Sequence, residues 1–468
     1  MKLAPLDNPV RASWLTEQGR RLDPGPFVSD AYQARKFVES LPNVEPLSAV
    51  TERIFHPGIF RRQWTTDPEH GVPFLGSAAI FQADLSNLPF LTTVASRKST
   101  NFALKPGWAL ITRSGMTAGR VTYSRLEMDG FSCSEDVMRV VPNTQKIPAG
   151  YLYTFLASDR GRAMIRGGIY GTSVKHIEPE HIADLPLPRL HPETESKIDD
   201  LIQQAMKRRS QFHEAITNST IDLFRSAGLE HLANIDWHSE ERDTDFVVQG
   251  PTPLSLRALN FTPRARRIFE QIRSVPHTTL GQVCDQGVLR TGARFKRIES
   301  DSTHGVRLIG QRQAFWIRPE GRWINPTQAP ADIRQTDETI LIAAHGTLGE
   351  TEVFGRSVLV TGSWLKHAYS QDFVRVASGD PDYPGAYLFA LLRSNPAFRM
   401  LRSMSVGGKQ QEYHPQLLRD LPIPACTPED RERIAETVRQ AFRWRDEADM
   451  KEDEALTLLD DAVREAAR

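Results

Sequence analysis

Two long stretches of the chain carry apolar residues every three to four positions, which predicts helices with one apolar face. In residues 193–224 these positions are Ile198, Leu201, Ile202, Ala205, Phe212, Ile216 and Leu223. In residues 429–467 they are Ile434, Val438, Ala441, Phe442, Ala448, Leu456, Leu459 and Val463. At about 1.5 Å per residue the helices would span roughly 50 and 60 Å. Such narrow apolar faces favour an antiparallel coiled coil, with two separate surface helices as the alternative.

Each of these helices follows the same short proline motif. The sequence HIADLPLPRLHPE occupies residues 181–193, and LLRDLPIPACTPE occupies residues 417–429, an offset of 236. Proline lacks a backbone donor and disfavours helix in the residue before it, so two alternate prolines hold the motif extended. Thr427 is the predicted N-cap of the second helix, with Pro428 at its first position.

The repeat extends well beyond the proline motif. Matching segments are 134–142 and 370–378, 147–158 and 383–394, 171–188 and 407–424, 70–81 and 304–315, 109–121 and 340–353, and 34–41 and 265–272. The order is the same in both copies, and the offset stays between 231 and 236. A chance match would not keep order and spacing over this length, so the chain is a tandem duplication.

Each copy predicts a mixed α/β domain that begins with a short helix, at 31–41 or 263–273. Strand-like runs, a further helix, the proline motif and the long helix then follow. We therefore expect two repeated domains of the α/β class, separated by two long helices that form an antiparallel coiled coil. The expected boundaries are 1–188 for the first domain, 189–228 for the first long helix, 229–255 for a polar linker, 256–424 for the second domain and 425–468 for the second long helix.

Composition places the chain among cytosolic globular proteins. Of 468 residues, 40% are hydrophobic and 25% are charged, and no apolar run approaches the length of a membrane span. The first residues lack the apolar core of a signal peptide. Three widely spaced cysteines indicate neither a disulfide framework nor a zinc site, so we expect a cytoplasmic protein without a metal.

Common catalytic motifs are missing from the sequence. We find no GxxxxGK[ST] loop, no GxGxxG fingerprint, no HExxH pair and no paired CxxC. The [D/N]-P-P-[F/Y/W] motif of amino-methyltransferases is also absent. We expect no catalytic residue and no cofactor in this chain.

Nucleic-acid binding is favoured by local charge, although the net charge is zero, with 58 basic and 58 acidic residues. Residues 256–322 contain 13 Lys or Arg against five acids, and Arg and Gln are the side chains that pair with guanine and adenine edges. The candidates in the first copy are Arg61, Arg62, Arg97, Lys98, Arg113, Arg120, Lys175 and His176. Those in the second are Arg290, Arg294, Lys296, Arg297, Arg312, Gln313, Lys409, Gln410 and Gln411. Each arginine taken alone is better explained as ordinary surface charge, so the prediction rests on the cluster.

The order of motifs in each copy resembles the DNA specificity subunit of type I restriction–modification systems, over nearly the whole chain. The family pattern comprises a glycine loop, S-x-D, Y-L-x-x-Φ-L, L-P-Φ-P and a long helix. The resemblance implies two target-recognition domains that each read half of a split double-stranded DNA site, with helices that set the gap. It also implies two methyltransferase subunits that bind S-adenosylmethionine, and a possible nuclease–translocase subunit.

The chain departs from the family in two places. The glutamine that often precedes the long helix is absent after Glu193 and Glu429, and the Gly-x-x-Gln loop occurs only in the second copy, at Gly408 and Gln411. The alternative is a scaffold or DNA-binding subunit of another phage-defence assembly, which does not read sequence.

Overall fold

The computed structural model of the chain describes residues 10–17, 27, 30–98, 100–171, 175–238, 247 and 254–468, without the side chains of Thr100 and Met116. The chain divides into two compact units. Unit 1 comprises residues 1–81, 88–210 and 447–468, and unit 2 comprises residues 82–87 and 211–446. Within the described residues, no helix is both long and apolar enough to cross a membrane.

Unit 1 is a mixed α/β unit. Its helices are Ala12–Glu17, Ala31–Glu39, Leu47–Val50, Thr93–Ser96, Ala149–Ala157 and Asp159–Gly167, with 3₁₀ turns at Ala79–Phe81, Thr100–Phe102, Gly115–Thr117, Leu126–Met128 and Pro179–His181. Its strands are Val44–Pro46, Thr51–Phe55, Trp64–Thr65, Gly71–Leu75, Phe90–Thr92, Ala109–Thr112, Val121–Tyr123, Ser132–Cys133, Val137–Pro142 and Pro186–Pro188.

Unit 2 contains a closely similar set. Its helices are Glu230–Ala233, Pro263–Arg273, Leu280–Val283, Gly385–Leu392, Asn395–Ser403 and Pro415–Arg419, with 3₁₀ turns at Ala258–Phe261, Gln313–Phe315, Pro326–Gln328, Ala331–Ile333 and Gly362–Lys366. Its strands are His277–Thr279, Val288–Thr291, Val306–Ile309, Arg322–Ile324, Thr339–Ala343, Ser357–Val360, Ala368–Tyr369, Phe373–Ala377, Ser405–Val406, Glu412–Tyr413 and Pro422–Pro424.

The same antiparallel four-stranded sheet forms the centre of both units. In unit 1 the order is Thr51–Phe55, Val137–Pro142, Ala109–Thr112 and Val121–Tyr123. In unit 2 the order is Val288–Thr291, Phe373–Ala377, Thr339–Ala343 and Ser357–Val360. The two middle strands are almost wholly buried, which explains why they read as continuous apolar runs rather than as alternating ones. The predicted α/β class and the duplication are confirmed.

The proline motif forms a short strand in each unit. Pro186–Pro188 pairs with Val44–Pro46, and Pro422–Pro424 pairs with His277–Thr279, both antiparallel. The prolines cannot donate to the partner segment, and the residue after each proline strand supplies a backbone donor instead. Arg189 N donates to Asn43 O at 2.9 Å, and its counterpart Ala425 N donates to Pro276 O at 2.8 Å. The predicted extended exit is confirmed, and it closes each domain onto its own N-terminal segment.

A tyrosine holds this strand in both units. Tyr151 Oη donates to Pro188 O at 2.5 Å, and Tyr387 Oη donates to Pro424 O at 2.8 Å. Both tyrosines are fully buried, and both belong to the repeated Y-L motif. A buried hydroxyl must find a partner, and here that partner is a strand carbonyl next to the start of the long helix.

The two long helices run Pro192–Ser226 (the central helix) and Pro428–Ala466 (the C-terminal helix). Asp430 N donates to Thr427 Oγ1 at 3.2 Å, which confirms the predicted N-cap. In unit 2 the Phe212 and Phe442 rings are 5.3 Å apart, and Arg433 Nη2 lies 3.0 Å from Asp222 Oδ1. The helices therefore pack antiparallel there. Supercoiling stays a prediction.

In unit 1 a buried ion cluster joins the same two helices. The Arg209 side chain is 1% exposed, and its Nη2 lies 2.5 Å from Asp449 Oδ1 and 3.2 Å from Glu452 Oε1. Tyr123 Oη also donates to Glu452, at 2.8 Å. A buried charge left without its partner is costly, so this cluster penalises any slip of one helix along the other.

The expected linker begins later than residue 229. Leu229 and Leu232 are buried in the core of unit 2, and Glu230–Ala233 is helical. The guanidinium carbons of Arg264 and Arg399 lie 4.3 and 4.9 Å from the centroid of the Trp237 ring. Residues 229–238, which we expected to belong to the polar linker, pack onto the core of unit 2 through Leu229, Leu232, Ala233, Ile235 and Trp237. Residues 239–246 and 248–253 lie outside the described residues.

We expect Tyr387→Phe to lower the free energy of unfolding by about 1 kcal/mol, because the Pro424 carbonyl loses a buried hydrogen bond. Urea denaturation of the full chain measures this change. Tyr383→Phe is the matched control, since its half-buried ring lies 6.2 Å from that of Tyr387 but its hydroxyl does not bond to the proline strand. Equal effects of the two variants would contradict the role given to Tyr387.

Candidate nucleic-acid interface

Four loops of unit 2 meet at one edge of its sheets. They are residues 292–298, 310–313, 344–352 and 407–411, which we call the edge loops of unit 2. Ala344 N donates to Asp372 O, and Ser370 N donates to Ile309 O, both at 3.0 Å. Arg297 Nη2 donates to Gln371 Oε1, also at 3.0 Å. Residues 370–372 therefore form hydrogen bonds to the first and third edge loops and to Ile309, which directly precedes the second.

The fourth loop joins through residue 411. Gln411 N donates to Gly346 O at 2.8 Å. Gln311 Oε1 accepts from the backbone N–H groups of both Ala344 and His345 at 3.0 Å, which ties the second loop to the third. The four loops are thus joined to one another by backbone and side-chain hydrogen bonds.

Unit 1 repeats this edge with matching residues. Its edge loops are residues 56–63, 76–78, 113–119 and 171–176, of which 172–174 lie outside the described residues. Ser134 N donates to Leu75 O at 2.9 Å, and Arg113 N donates to Asp136 O at 2.8 Å. Gly115 N donates to Lys175 O at 3.1 Å. These bonds join the segments that correspond to those joined in unit 2.

A side-chain bond is repeated as well. Arg62 Nη2 lies 2.8 Å from Glu135 Oε1, and these two residues correspond to Arg297 and Gln371. The arginine of unit 1 therefore pairs with a carboxylate, whereas the corresponding arginine of unit 2 donates to a neutral amide oxygen. In both units this bond joins the first edge loop to the middle residue of the S-x-D segment.

Several of the predicted residues of unit 1 lie on its edge loops. Arg61 and Lys175 are exposed, and His176 is half-buried and pairs with Ser114 through the backbone. Arg62 bonds Glu135 and lies 5.2 Å from the Phe74 ring. Arg62 is therefore partly committed to the fold, whereas Arg61 and Lys175 point into solvent.

Arg113 is also held by an acid. It forms an ion pair with Glu178, which further bonds His56 Nε2 at 3.1 Å and Tyr170 Oη at 3.2 Å. Burial disfavours the Glu178 carboxylate, but the hydrogen bonds and charge of Arg113 outweigh it and lower the pKa of Glu178. Glu178 therefore stays ionised, and Arg113 is neutralised at this edge.

The other predicted residues of unit 1 lie outside its edge loops. Arg97 and Lys98 are exposed just after the helix Thr93–Ser96, which is tied to the sheet by the 2.7 Å bond between Ser96 Oγ and Ser132 Oγ. Arg120 is half-buried just after the third edge loop.

In unit 2 the first edge loop is the most basic. Arg294, Lys296 and Arg297 are exposed on it. Arg290 lies just before it and pairs with Asp332 at 3.0 Å. The loop that carries Arg294, Lys296 and Arg297 has no regular structure, and Arg297 bonds Gln371. Exposed basic side chains on such a loop suit contact with a phosphate backbone.

The glycine loop of unit 2 divides into exposed and buried residues. Lys409 and Gln410 are exposed, whereas Gln411 is 4% exposed. Gln411 Oε1 accepts from Arg257 Nη2 at 2.6 Å and from Ser405 Oγ at 3.2 Å. This side chain holds the loop from within, and Lys409 and Gln410 are the groups presented to solvent.

The second edge loop supplies two further predicted residues. Arg312 is exposed, with Nη2 3.9 Å from Glu352 Oε2, and Gln313 is half-buried at the start of a 3₁₀ turn. At that distance the carboxylate only weakly opposes a contact from Arg312 to another anion.

Sequence reasoning missed the residue that holds the third edge loop. Arg402 donates to the carbonyl oxygens of Gly349 at 2.8 Å, Phe354 at 3.2 Å and Glu352 at 3.4 Å, and also bonds Leu348 O. It lies in the helix Asn395–Ser403, where an arginine reads as an ordinary surface charge. No sequence signal distinguishes it.

One exposed group of the described residues has metal-ligand chemistry. Asp67, Glu69 and His70 bring their ligand atoms within 4.8 Å of one another. Asp67 caps its own turn through Glu69 N at 2.8 Å and bonds His70 Nδ1 at 2.7 Å, and the His70 bond lowers the pKa of Asp67. The turn accounts for the cluster, so we assign no metal to it.

Comparison with known proteins gives only remote likenesses. No protein-family model matches the sequence, and no curated protein matches it. Among solved structures, the S subunit of a type I restriction–modification system from M. genitalium is 11% identical at a TM-score of 0.36, covering 91% of this chain and 95% of that one. The family that it names is the one that the motifs resemble.

Two further structures are of the same kind. The HsdS subunit from Thermoanaerobacter tengcongensis is 13% identical at a TM-score of 0.27, covering 92% of this chain and 97% of that one. A chain from a study of complex assembly and conformational transition of the type I R-M system is 14% identical at a TM-score of 0.26, covering 92% of this chain and 98% of that one. Because these scores are low, we base the function on the residues of this chain.

We expect Gln411→Ala to loosen the glycine loop, because it leaves the half-buried Arg257 and the buried Ser405 without their acceptor, at a cost of about 1–3 kcal/mol. Hydrogen–deuterium exchange of residues 405–412 should accelerate in this variant. Gln410→Ala, one position earlier and exposed, should leave exchange unchanged. If both variants behaved alike, Gln411 would not be the residue that holds the loop.

Proposed function

We propose that this chain is a non-catalytic DNA-recognition subunit of a type I restriction–modification-like complex. The observation that carries the proposal is the repeated edge. Matching loops are joined by matching hydrogen bonds in both units, and each edge presents basic side chains to solvent. Two related surfaces on one chain suit a DNA site that is read in two halves.

The residues at each edge have the chemistry for such contacts. Exposed Arg and Lys side chains neutralise phosphates without regard to sequence, whereas Arg and Gln also pair with guanine and adenine in the major groove. In unit 2 we assign phosphate contacts to Arg294 and Lys296, and base contacts to Gln410 and Arg312. In unit 1 we assign phosphate contact to Arg61 and Lys175.

Gln411 and Arg402 have a different role in this proposal. Their side chains are occupied by the loops themselves, so they position Lys409, Gln410 and the third edge loop rather than touch DNA. Preorganised loops lose less conformational freedom on binding, which raises affinity and sharpens discrimination.

The remaining parts of the proposal concern partners. The central and C-terminal helices would set the length of the unread gap and provide the docking surface for two methyltransferase subunits. Those subunits would hold S-adenosylmethionine, and a nuclease–translocase subunit would complete a restriction complex. This chain would then need no catalytic group of its own.

Selection from a pool of random duplexes by the assembled complex tests the proposal. We expect a bipartite consensus, two short motifs separated by a gap of fixed length. Equal binding of all duplexes, with the same steep salt dependence for each, would instead indicate the scaffold without sequence readout.

A double substitution should separate the two halves. Lys409→Ala with Gln410→Ala is expected to relax or change one half of the consensus, to leave the other half intact, and to reduce the salt slope of binding by about one. Arg322→Ala, at an exposed arginine of unit 2 that lies outside both the edge loops and the long helices, is the control, with no change in consensus or slope. A change in both halves would contradict one recognition surface per unit.

A further inference from the structure

A cavity of about 90 Å³ lies inside unit 2, next to the third edge loop. Its wall combines apolar side chains, among them Phe315, Phe389 and Trp364, with polar ones. The charged residues of the wall are Asp84, Glu350, Glu352, Arg356, Arg393 and Arg445, and Ser357 follows Arg356. This volume corresponds to about three water molecules, which is also the size of one small oxyanion.

Two neighbouring residues of the wall each have a buried polar atom with no hydrogen-bond partner among the described residues. Among the described residues, neither Arg356 Nη1 nor Ser357 Oγ has a hydrogen-bond partner, although both atoms are buried. Buried polar atoms without partners are rare, and each one costs free energy unless an unseen group satisfies it. Here one atom is a charged donor and the other is a hydroxyl, and they belong to consecutive residues.

The Arg356 charge also lacks a counter-charge of its own. Asp84 is engaged by Arg393, whose Nη2 lies 2.7 Å from its Oδ2. Glu350 is engaged by Arg399 Nη1 at 2.7 Å. The two acids that face Arg356 therefore already neutralise other cations.

A second cation lies close to the Arg356 guanidinium. The Phe398 ring has the guanidinium carbons of Arg356 and Arg402 over it, at 3.5 and 4.1 Å from its centroid. Burial, followed by the charge of Arg402, lowers the pKa of Arg356 to about 9. A guanidinium in this position is stabilised by an added anion, because charge-assisted hydrogen bonds are the strongest that the site can form.

We propose that this cavity binds a small oxyanion of the phosphate class, held by the Arg356 guanidinium and the Ser357 hydroxyl. The proposal does not depend on the chain being a DNA-recognition subunit. Occupancy would neutralise the Arg356 guanidinium and brace residues 350–352, which line the cavity and also belong to the third edge loop. Free phosphate and a phosphodiester of bound DNA offer the same chemistry.

Calorimetric titration of the full chain with sodium phosphate, at ionic strength held constant with sodium chloride, tests the site. We expect saturable binding to the unaltered protein and a rise in Tm on the order of 5 °C at phosphate 100-fold above its Kd. Arg356→Gln should abolish both effects, and Ser357→Ala should weaken binding several-fold. Arg322→Gln, an exposed arginine of the same unit, should change neither.

The outcomes separate the sources of the anion. Saturable binding without DNA that is lost in Arg356→Gln supports a free oxyanion. If phosphate alone does not bind, but duplex affinity falls at least tenfold in Arg356→Gln and not in Arg322→Gln, the anion is a DNA phosphate. A Tm rise that is equal in the unaltered protein and in Arg356→Gln is general salt stabilisation, and it would overturn the proposal.

Arg356→Gln should still fold, because it removes a buried charge that has no partner. We expect its Tm in phosphate-free buffer to equal or exceed that of the unaltered protein. If the variant failed to fold, Ser357→Ala would decide the matter by the same titration, and unchanged phosphate affinity in that variant would count against the site.

Discussion

The closure of each domain by its proline strand is the constraint from which the other features follow. Pro186–Pro188 and Pro422–Pro424 each pair with a three-residue strand near the start of their own repeat. A buried tyrosine hydroxyl then fixes the carbonyl of the last proline. Because this point is fixed on both sides, the long helix begins in a defined direction. The edge loops all lie in the chain segment between the two paired strands, so this pairing brings the ends of that segment together. The same solution occurs twice because the chain is a duplication.

The two copies share backbone hydrogen bonds at their edge loops but differ in the side chains there. The bonds of Ser134 and Ser370 to the preceding strand are the same, whereas the Arg62–Glu135 ion pair of one copy corresponds to the neutral Arg297–Gln371 bond of the other. Arg113 is neutralised by Glu178, while its counterpart in the other copy is Ala344. Under the proposed function, this divergence is expected of two domains that read different half-sites on one scaffold. A scaffold for protein partners alone gives no reason for exposed cations to persist at the same edge in both copies.

The sequence predicted the features that repeat or that have a period. The tandem copies, the buried positions of Ile198 to Leu223, the N-cap at Thr427 and the extended proline motif all appear as expected. It could not predict whether a polar side chain in a loop points outward. Gln410 and Gln411 are adjacent glutamines, yet only Gln411 is turned inward, where it bonds Arg257 and Ser405. Arg402 and Leu229 were missed for the same reason, since long-range packing decides their environment and leaves no local pattern.

The central claim is that the two repeated edges are the DNA-binding surfaces. Hydrogen–deuterium exchange of the assembled complex, with and without its selected duplex, tests this claim most directly. The account predicts slower exchange on DNA binding at residues 56–63 and 113–119 of unit 1, and at residues 292–298 and 407–411 of unit 2. The exposed faces of the central and C-terminal helices should show no change. Protection confined to those helices, or to only one of the two edges, would contradict the account.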